Sequence, residues 1–450
     1  MNEILKAIQS AGGCPYFVGG CVRDNLMGVE SKDIDVEVFG LSSADLVSIL
    51  SSFGKVDSVG DSFGVIKLTT DSDDFDFTLP RRDNKVGNKH NDFVVEVDHT
   101  MTPEEAACRR DYTINSISKD TEGNILDPFN GLQDIQNKTL RATSEHFSED
   151  SLRVLRGFQF AGRFDMKVES KTAATCRSIL PDAKHLAKER IREEVVKWAT
   201  KSRVPSAGIR FLVDTGWIEL FPELQALQGC LQDPEWHPEG DAFEHTLLVC
   251  DAAAEIADHE KLAFEDRLVL MLSALCHDLG KATTTVIEGG RIKSPGHAGE
   301  TGLTVSLLER MGFEKAIIDK VVPLVQEHMV HIGVEPTPRF VRRLSLRLVP
   351  TNIKLLVLLI EADHSGRPPL PKVCPDSAKR ILEISGELKI QSDVPKPLIM
   401  GRHLIECGLT PSPQFSKLLK LAYEKQIDGE FDTIEDGLKL IGVENQHDSR

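Results

Sequence analysis

Apolar and polar positions alternate along the first third of the chain, and this alternation predicts β-strands. The segments "IDVEVFG", "FGVIKLTT" and "FVVEV" show it, and they lie among Gly, Asp and Asn residues that are typical of turns. Up to about residue 140 we therefore expect a domain that combines strands and helices.

From Ser148 onward the apolar residues recur at a different spacing, every three or four positions. Leu152, Leu155, Phe158 and Ala161 begin this pattern. Such spacing places the apolar side chains on one face of a helix, and strand signals largely vanish from this point. The remainder of the chain is therefore predicted to be helical.

Proline and glycine interrupt the helical pattern at two places. Pro234, Pro238 and Gly240 precede a second helical unit, and "SGRPPLPKVCP" (365–375) precedes a C-terminal helical stretch. A chain of 450 residues is also too long for one ordinary hydrophobic core. We expect four parts: a head (1–140), a helical neck (141–230), a third domain (231–370) and a helical tail (371–450).

Composition and charge exclude several classes of protein. The longest apolar run, 355–360, is far shorter than the roughly 20 residues of a membrane span, and the N-terminus lacks a signal pattern. Nine scattered cysteines without a CxxC pair argue against a disulfide framework or a structural zinc site. The net charge of −17 means that an RNA partner would need a local basic surface. We expect a cytoplasmic enzyme or binding protein with no membrane association, either monomeric or dimeric.

The stretch "FVGGCVRDNLMGVESKDIDVEVFG" places two carboxylates, Asp33 and Asp35, one residue apart. On a strand both would project from the same face and repel each other. A divalent cation between them removes the repulsion and creates a site for phosphoryl transfer. The preceding Gly19 and Gly20 let the backbone approach a phosphate, and Arg23 adds positive charge. If the two aspartates are considered without their neighbours, the ordinary interpretation is that they are solvent-exposed acidic side chains beside a turn.

Four further motifs follow this stretch in order: "RRDYTINSIS", "DPFNGLQDI", "EDSLRVLR" and "ERIREEV". Together the five resemble the motifs of class II tRNA nucleotidyltransferases and bacterial poly(A) polymerases. The resemblance implies an α+β fold, with a head of the DNA polymerase β type followed by an all-α neck. It also implies that Asp33 and Asp35 are catalytic and hold Mg²⁺. The nucleotide-binding residues that it implies are Gly20, Arg23, Arg110, Asp111, Asn115, Glu149, Asp150, Arg153 and Arg156.

The fourth motif contains side chains that could select the base. Cytosine and adenine each present an amine donor beside a ring-nitrogen acceptor, whereas uracil and guanine present the reverse. Asp150 could accept from the amine and Arg153 could donate to the ring nitrogen, one turn apart on a helix capped by Ser148. In the alternative interpretation, the acids of this motif only stabilise the helix start.

A second set of side chains lies downstream and is independent of the first. Its histidines and aspartates are ligands that divalent metals prefer, and an adjacent His-Asp pair is followed by Gly and Lys281. The members are His245, His277, Asp278, His297, His328 and Asp363. The set resembles an HD-domain phosphohydrolase, as found fused to some CCA-adding enzymes. The resemblance implies a divalent metal, Ni²⁺ or another transition metal, and activity as a 2′,3′-cyclic phosphodiesterase, 2′-nucleotidase and phosphatase.

Two segments bear on the choice within the family. The stretch "LPRRDNKVGNKHNDF" (79–93) resembles the mobile loop that CCA-adding enzymes use when they switch from C to A, and a basic poly(A) polymerase marker is absent from "VGDSFGVIKL". We therefore expect addition of CCA to the tRNA 3′ end from CTP and ATP. The alternative is a poly(A) polymerase, or an A-adding or CC-adding enzyme, with a purely structural HD domain. The basic "RFVRRLSLR" (339–347) is a candidate tRNA contact.

Overall fold

The computed structural model describes residues 1–29, 34–58, 65–70, 74–85 and 93–443. Its contacts divide the chain into two compact units, Met1–Leu220 and Phe221–Arg450. Each unit has its own core and is described by itself. The finer division into four parts stays a prediction.

The first unit combines helices with strands. Its helices are α1 (Asn2–Ser10), α2 (Gly20–Leu26), α3 (Ser43–Leu50), α4 (Pro103–Cys108), α5 (Gly131–Gln136), α6 (Leu152–Phe164), α7 (Ser170–Ser178), α8 (Lys188–Lys201) and α9 (Pro205–Thr215). Its strands are β1 (Cys14–Val18), β2 (Asp35–Phe39), β3 (Lys55–Ser58), β4 (Val65–Thr69), β5 (Asp74–Thr78), β6 (Arg81–Lys85), β7 (Phe93–Val97), β8 (Ser118–Lys119), β9 (Ile125–Leu126), β10 (Thr139–Leu140) and β11 (Lys167–Val168).

A seven-stranded sheet forms the centre of this unit, in the order β3-β4-β5-β2-β1-β8-β9. Its pairs are antiparallel except β2 with β5, where Asp35 lies opposite Asp76. The inward-facing Val38 and Phe77 are fully buried against Ile8 of α1. The strands predicted from alternation are therefore confirmed as β2, β4 and β7.

The segment expected to be a mobile loop, 79–93, contains β6 and ends at Phe93, the first residue of β7. β6 and β7 pair with each other as an antiparallel ribbon outside the main sheet. The residues that join them, 86–92, lie outside the described part of the chain. The alternating "FVVEV" explains β7, but the polar "RRDNK" of β6 gave no strand signal.

Helices α6 and α8 run side by side in the same direction in the neck. Asp150, just before α6, pairs with Arg190 in the first turn of α8. At the other end, a Cβ on Gly162 of α6 would lie only 3.0 Å from the Trp198 ring of α8, so the two helices approach closely there. The two helices are therefore close to each other near both of their ends.

The second unit is mainly helical. Its helices are α10 (Pro222–Gln225), α11 (Ala242–His259), α12 (Phe264–Cys276), α13 (Lys281–Thr284), α14 (Thr301–Arg310), α15 (Lys315–Glu327), α16 (Pro338–Arg347), α17 (Ile353–Ser365), α18 (Asp376–Glu387), α19 (Gly401–Glu406), α20 (Pro413–Asp428) and α21 (Ile434–Leu440). Its strands are β12 (Val286–Glu288) and β13 (Arg291–Lys293).

The prediction that everything beyond Ser148 is helical was wrong at a few short strands. The clearest exception is the hairpin of β12 and β13, joined by Gly289 and Gly290. Both glycines have positive φ, 58° and 78°, which a two-residue hairpin turn requires. The signal was present in "VIEGGRIK" as two glycines between β-branched residues, but it is only eight residues long.

The apolar run at 355–360 lies in α17, where its side chains are buried in the second unit's core against α11 and α12. Among the described residues, no helix has both the length and the apolar character needed to cross a lipid bilayer. All nine cysteines lie in the described ranges and their thiols are free, as expected from their spacing.

Candidate active sites

The first unit contains a cavity of about 680 Å³. Its wall has ten basic side chains: Arg23, Arg81, Arg109, Arg110, Arg153, Arg156, Arg163, Arg190, Lys197 and Lys201. Four carboxylates share the wall: Asp35, Glu37, Asp111 and Asp150. The cavity is therefore the local basic surface that an acidic chain needs to bind a nucleotide or RNA.

Strand β2 places two carboxylates in this cavity. Asp35 is its first residue, and Glu37, two positions later on the same face, accepts a hydrogen bond from Arg110 at 3.0 Å. Asp33 lies outside the described residues, so its pairing with Asp35 stays a prediction. Glu37 was not among the predicted site residues, although its spacing from Asp35 in "DVE" contained the signal.

Gly19 joins β1 to α2 at the edge of the cavity, and Gly20 is the first residue of α2. Gly19 has a φ of 68°, in the left-handed region that glycine adopts readily. A Cβ at this position would lie 2.9 Å from Nη1 of Arg110. Glycine therefore allows the backbone to pass close to a guanidinium in the cavity wall.

The guanidinium of Arg23 is buried and held by the fold. Its Nε donates to Asp24 at 2.8 Å, its Nη1 donates to Asn115 Oδ1 at 2.5 Å, and it lies 5.1 Å from the centre of the Phe160 ring. Burial lowers the pKa of Arg23 from its ordinary value. Arg23 therefore faces the cavity as a fixed cation.

Asp111 is a buried carboxylate with several donors. It accepts hydrogen bonds from the backbone of Tyr112, from Asn115 at 2.8 Å and from Arg156 at 2.6 Å. Burial would raise the pKa of Asp111, but the charge of Arg156 and these hydrogen bonds outweigh it and lower the pKa to about 2. Asp111 and Asn115 thus connect Arg23 of the head to Arg156 of α6.

This network should make the stability of the protein depend on acid pH. The folded-state pKa of Asp111 lies below its ordinary 3.8, so its stabilisation is present above that value and is lost as pH falls toward 2. The expected contribution is on the order of 2 kcal/mol. Free energies of unfolding measured by urea titration between pH 5 and 2 should fall less steeply for Asp111→Asn than for wild type. Equal slopes would contradict the assignment.

The helix of the predicted base-selecting motif starts later than expected. α6 begins at Leu152, and Ser148 lies in the preceding 3-10 helix, Glu145–Glu149. The prediction that Asp150 and Arg153 share one helix face was therefore wrong. Asp150 instead lies just before the helix, because its carboxylate accepts from the backbone N–H of Leu152 at 3.0 Å and thereby forms the turn.

Asp150 and Arg153 nevertheless both line the cavity. Asp150 also accepts a hydrogen bond from Arg190 at 3.2 Å. Arg190 belongs to the fifth motif, "ERIREEV", so this bond joins the fourth and fifth motifs. Arg153 donates to the backbone carbonyls of His146 at 2.7 Å and Arg109 at 2.9 Å. Both side chains are thus held in place by the surrounding backbone and by Arg190.

Glu149 is placed differently from the other residues of its motif. Its carboxylate lies 2.7 Å from Nδ1 of His146 and 3.5 Å from Arg109, and it is not part of the cavity wall. The structure therefore brings Asp150, Arg153 and Arg156 to the cavity, whereas Glu149 lies outside the cavity wall and next to Arg109.

The second unit gathers all six predicted metal ligands in one buried cluster. His245 comes from α11, His277 and Asp278 from the end of α12, and His328 from the end of α15. His297 begins a 3-10 helix, and Asp363 lies in α17. Five helical segments therefore position the six ligands, with the adjacent His277 and Asp278 sharing the end of α12.

The cluster consists of two groups that share Asp278. In one group, the Nε2 atoms of His245 and His277 lie 3.3 Å apart, and Nε2 of His277 lies 3.3 Å from Asp278 Oδ2. In the other, the Nε2 atoms of His297 and His328 lie 3.3 Å apart, and Nε2 of His297 lies 3.2 Å from Asp278 Oδ1. Each group brings three possible ligand atoms within reach of one cation. Asp363 joins the first group, at 3.1 Å from Nε2 of His245.

The second nitrogen of each ring supports a ligand role. Nδ1 of His277 lies 2.8 Å from the carbonyl of Ala274, and Nδ1 of His328 lies 2.6 Å from that of Val325. A carbonyl only accepts, so these nitrogens donate, and Nε2 carries the lone pair. Facing lone pairs at 3.3 Å repel unless a proton or a metal ion lies between them. The donor set therefore fits divalent cations.

The pKa values of this cluster follow from burial and neighbouring charge. Burial alone would lower the pKa of His245, but hydrogen bonds with Asp363 and Glu239 raise it to about 9. Burial and the nearby His277 lower the pKa of His328 to about 3. Without a metal, His245 is therefore protonated at neutral pH, and His328 is neutral and able to donate its lone pair.

Two residues near the cluster were missed by sequence reasoning. Glu239 Oε1 lies 2.7 Å from Nδ1 of His245 and 2.9 Å from Nδ1 of His237. Carboxylates that hold the outer nitrogen of a ligand histidine are common around metal sites. The available signal was "HPEGD" directly before the first predicted ligand. Lys281, which follows the His-Asp pair in the sequence, is buried with its Nζ 2.6 Å from Asp278.

The basic stretch "RFVRRLSLR" is largely occupied within the second unit. Arg339 and Arg343 both pair with Asp428, at 3.0 and 2.5 Å, and Arg347 pairs with Glu327 at 2.7 Å. These arginines remain about half exposed, but their guanidinium groups already have partners. A tRNA contact at this helix stays a prediction.

Comparison with known families identifies three segments. Residues 15–141 match the poly A polymerase head domain, 165–227 match the probable RNA and SrmB-binding site of polymerase A, and 242–363 match the HD domain. The polymerase-type head, the helical region and the HD domain expected from the motifs are thereby confirmed.

Solved structures share the fold over nearly the whole chain. A Bacillus stearothermophilus CCA-adding enzyme in complex with CTP has a TM-score of 0.63 at 19% identity, covering 95% of this chain and 92% of that one. A Thermotoga maritima CCA-adding enzyme complexed with tRNA has a TM-score of 0.57 at 17% identity, covering 98% and 93%.

Curated relatives are similar at a higher level of identity. The multifunctional CCA protein of Nitrosococcus oceani is 33% identical over 78% of this chain and 84% of its own length. That of Psychromonas ingrahamii is 35% identical over 71% of this chain and 76% of its own length. At this identity and coverage, the chain belongs to the multifunctional CCA protein family.

Proposed function

We propose that this protein adds or repairs the 3′-terminal CCA of tRNA, using CTP and ATP at the cavity of the first unit. The observation that carries the proposal is the basic cavity that contains both Asp35 of β2 and the Asp150–Arg153 pair. It is supported by the relatives, which are named multifunctional CCA proteins, and by the similar structures, which include complexes with CTP, ATP and tRNA.

In this proposal Asp33 and Asp35 would hold Mg²⁺. Mg²⁺ at such a site lowers the pKa of the attacking hydroxyl and stabilises charge on the phosphates. Gly20, Arg23 and Arg110 bind the triphosphate, since the fixed guanidinium groups balance its charge. Asp111, Asn115 and Arg156 hold the sugar side of the nucleotide, with Asp111 ionised at neutral pH.

Asp150 and Arg153 have the capacity to read a base despite their existing contacts. A carboxylate has about four acceptor positions, and Asp150 uses two of them, for Leu152 and Arg190. A guanidinium has five N–H donors, and Arg153 uses two for backbone carbonyls. The remaining acceptors and donors match the amine and ring nitrogen of cytosine and adenine. Glu149 supports this pair indirectly. Its carboxylate lies near the Arg109 side chain, and the Arg109 carbonyl accepts a hydrogen bond from Arg153.

Changing Asp150 should alter which base is used. Asp150→Asn keeps an oxygen to accept from Leu152 but adds an amine donor, so it should lower kcat/KM for CTP and ATP and narrow their advantage over UTP and GTP. Each lost hydrogen bond at a desolvated base edge costs about 1 to 3 kcal/mol, or roughly tenfold to hundredfold. Arg153→Ala should act in the same direction. Values of kcat/KM for all four NTPs test this change in base selectivity. An equal decrease in kcat/KM for all four NTPs would mean that other residues read the base.

The HD cluster supports a second activity, metal-dependent phosphohydrolysis. We infer that it hydrolyses 2′,3′-cyclic phosphates, 2′-phosphates and phosphomonoesters, which suits the repair of damaged RNA 3′ ends. The two ligand groups sharing Asp278 carry this inference. A transition metal such as Ni²⁺ bound there lowers the pKa of bound water and polarises a phosphoryl oxygen. Lys281 and Glu239 hold Asp278 and His245 in place.

Incubation with tRNA lacking its 3′ CCA, with each NTP separately and then together, tests the addition activity. CCA addition predicts two C residues with CTP alone and a complete end with CTP and ATP. A poly(A) polymerase would extend with ATP alone, an A-adding enzyme would extend only tRNA that already ends in CC, and a CC-adding enzyme would stop after two C residues even with ATP present. The joining residues 86–92, which would help to separate these cases, lie outside the described ranges.

A further inference from the structure

The segment between α10 and α11, residues 229–241, contacts the HD cluster at two places. Near its start, Oε1 of Gln232 accepts a hydrogen bond from Lys281 at 2.7 Å, and Lys281 pairs with Asp278. Near its end, Glu239 holds the outer nitrogen of His245. The part of the segment between these two anchors is therefore fixed beside the metal ligands.

A tight turn occupies the part between the anchors. The backbone N–H groups of Trp236 and His237 donate to the carbonyl of Asp233 at 3.1 and 2.9 Å, and that of Glu235 donates to the Asp233 side chain at 3.0 Å. These bonds order the backbone without a long helix or strand. The side chains of the turn are therefore presented from a rigid support.

Trp236, in this turn, is 61% exposed. The chain has three tryptophans, and the other two, Trp198 and Trp217, are fully buried. Trp236 directly precedes His237, whose ring centre lies 4.7 Å from that of the ligand His245. A large aromatic face thus lies in solvent one residue away from a ring that touches the metal-ligand cluster.

We propose that Trp236 stacks on the base of the nucleotide whose phosphate is hydrolysed at the HD cluster. This proposal rests on the phosphohydrolase activity proposed above and specifies its substrates as nucleotides and RNA 3′ ends. Unpaired RNA bases are commonly bound by stacking on exposed aromatic side chains. Stacking tolerates every base, which suits an enzyme that must accept different damaged 3′ ends. In the reaction a water oxygen bonds to phosphorus, and the released ribose oxygen takes up a proton.

The test compares two cyclic phosphates in the metal-loaded full-length protein. Adenosine 2′,3′-cyclic phosphate carries a base, whereas glycerol 1,2-cyclic phosphate has the same five-membered ring and no base. Trp236→Ala should raise KM for the adenosine compound about tenfold more than KM for the glycerol compound. Trp236→Phe should restore most of the affinity. Phe264→Ala, at a residue of the same unit that is 63% exposed, is the matched control and should change neither KM.

A binding measurement separates this proposal from the hydrolase proposal. On rapid mixing with the metal-loaded protein, before hydrolysis proceeds, adenosine 2′,3′-cyclic phosphate should quench the fluorescence of exposed Trp236 in a saturable manner, and the Trp236→Phe variant should lose that signal. Equal changes of KM for both compounds, or the absence of saturable quenching, would overturn the stacking role. A wild-type protein that hydrolyses neither compound would overturn the hydrolase function, and the quenching titration would still decide the stacking.

Discussion

Replacing Asp35 with alanine should abolish nucleotide addition to tRNA while hydrolysis of 2′,3′-cyclic AMP continues at the wild-type rate. Asp35 is the described carboxylate that begins β2 inside the basic cavity, and loss of a metal ligand removes several kcal/mol of transition-state stabilisation, on the order of a thousandfold in rate. The HD ligands belong to the other compact unit. Single-turnover addition of CTP to tRNA lacking CCA measures the first activity.

Asp57→Ala is the matched control for this experiment. Asp57 is an exposed aspartate of the same sheet, on β3, where it pairs with Lys55 at 3.1 Å. Its replacement should leave addition unchanged. Asp33→Ala is expected to behave as Asp35→Ala does. Near wild-type addition by either variant would show that these carboxylates do not hold the catalytic metal.

Replacing Asp278 should remove phosphohydrolysis and leave nucleotide addition intact. Asp278→Asn keeps the shape of the side chain but removes the charge that both ligand groups share, so it should weaken both cation positions together. His277→Ala removes one ligand and should also reduce hydrolysis of 2′,3′-cyclic AMP by at least about a hundredfold. Cobalt binding followed by absorption spectroscopy, alongside the rate, reports the loss of the site directly.

His259→Ala provides the control for general effects of removing a histidine. His259 belongs to the same unit but is 87% exposed at the end of α11, so both activities should persist. Wild-type protein should lose hydrolysis in a chelator and recover it with added divalent metal. Absence of hydrolysis under Ni²⁺, Co²⁺, Mn²⁺ and Mg²⁺ alike would assign the HD domain a structural role.

Local sequence patterns predicted the strands that have one face buried in a hydrophobic core. The alternation in "IDVEVFG" and "FGVIKLTT" corresponds to β2 and β4, because inward and outward residues of these strands face a core and a polar surface. The polar "RRDNK" of β6 carries no such alternation, and its pairing with β7 becomes visible only in the structure. Two-residue strands such as β8 and β10 depend on contacts with distant parts of the chain and leave no local pattern.

The residue types of the candidate sites could be predicted from the sequence, but the contacts that hold those residues in place could not. Side chains with distinctive chemistry, such as His277 and Asp278, are visible in any sequence. The bond between Asp150 and Arg190 joins residues 40 positions apart, and it depends on the parallel packing of α6 and α8. The start of α6 was misplaced because Ser148, Asp150 and Ser151 are all good residues for a helix start, and only the structure places the cap at Ser151, with Asp150 bonded to the N–H of Leu152.

The carbonyls that orient His277 and His328 have a further consequence. Each is the carbonyl three residues earlier, Ala274 or Val325, in the last turn of α12 or α15. A helix end normally frays, because its last carbonyls lack partners within the helix. With the proposed cation bound, fraying would also turn a ligand ring away from it, so we expect the metal to oppose local opening of both helix ends. We therefore expect amide hydrogen exchange in those two turns to slow as the metal concentration rises, because each ligand ring would then tie its helix end to the rest of the cluster.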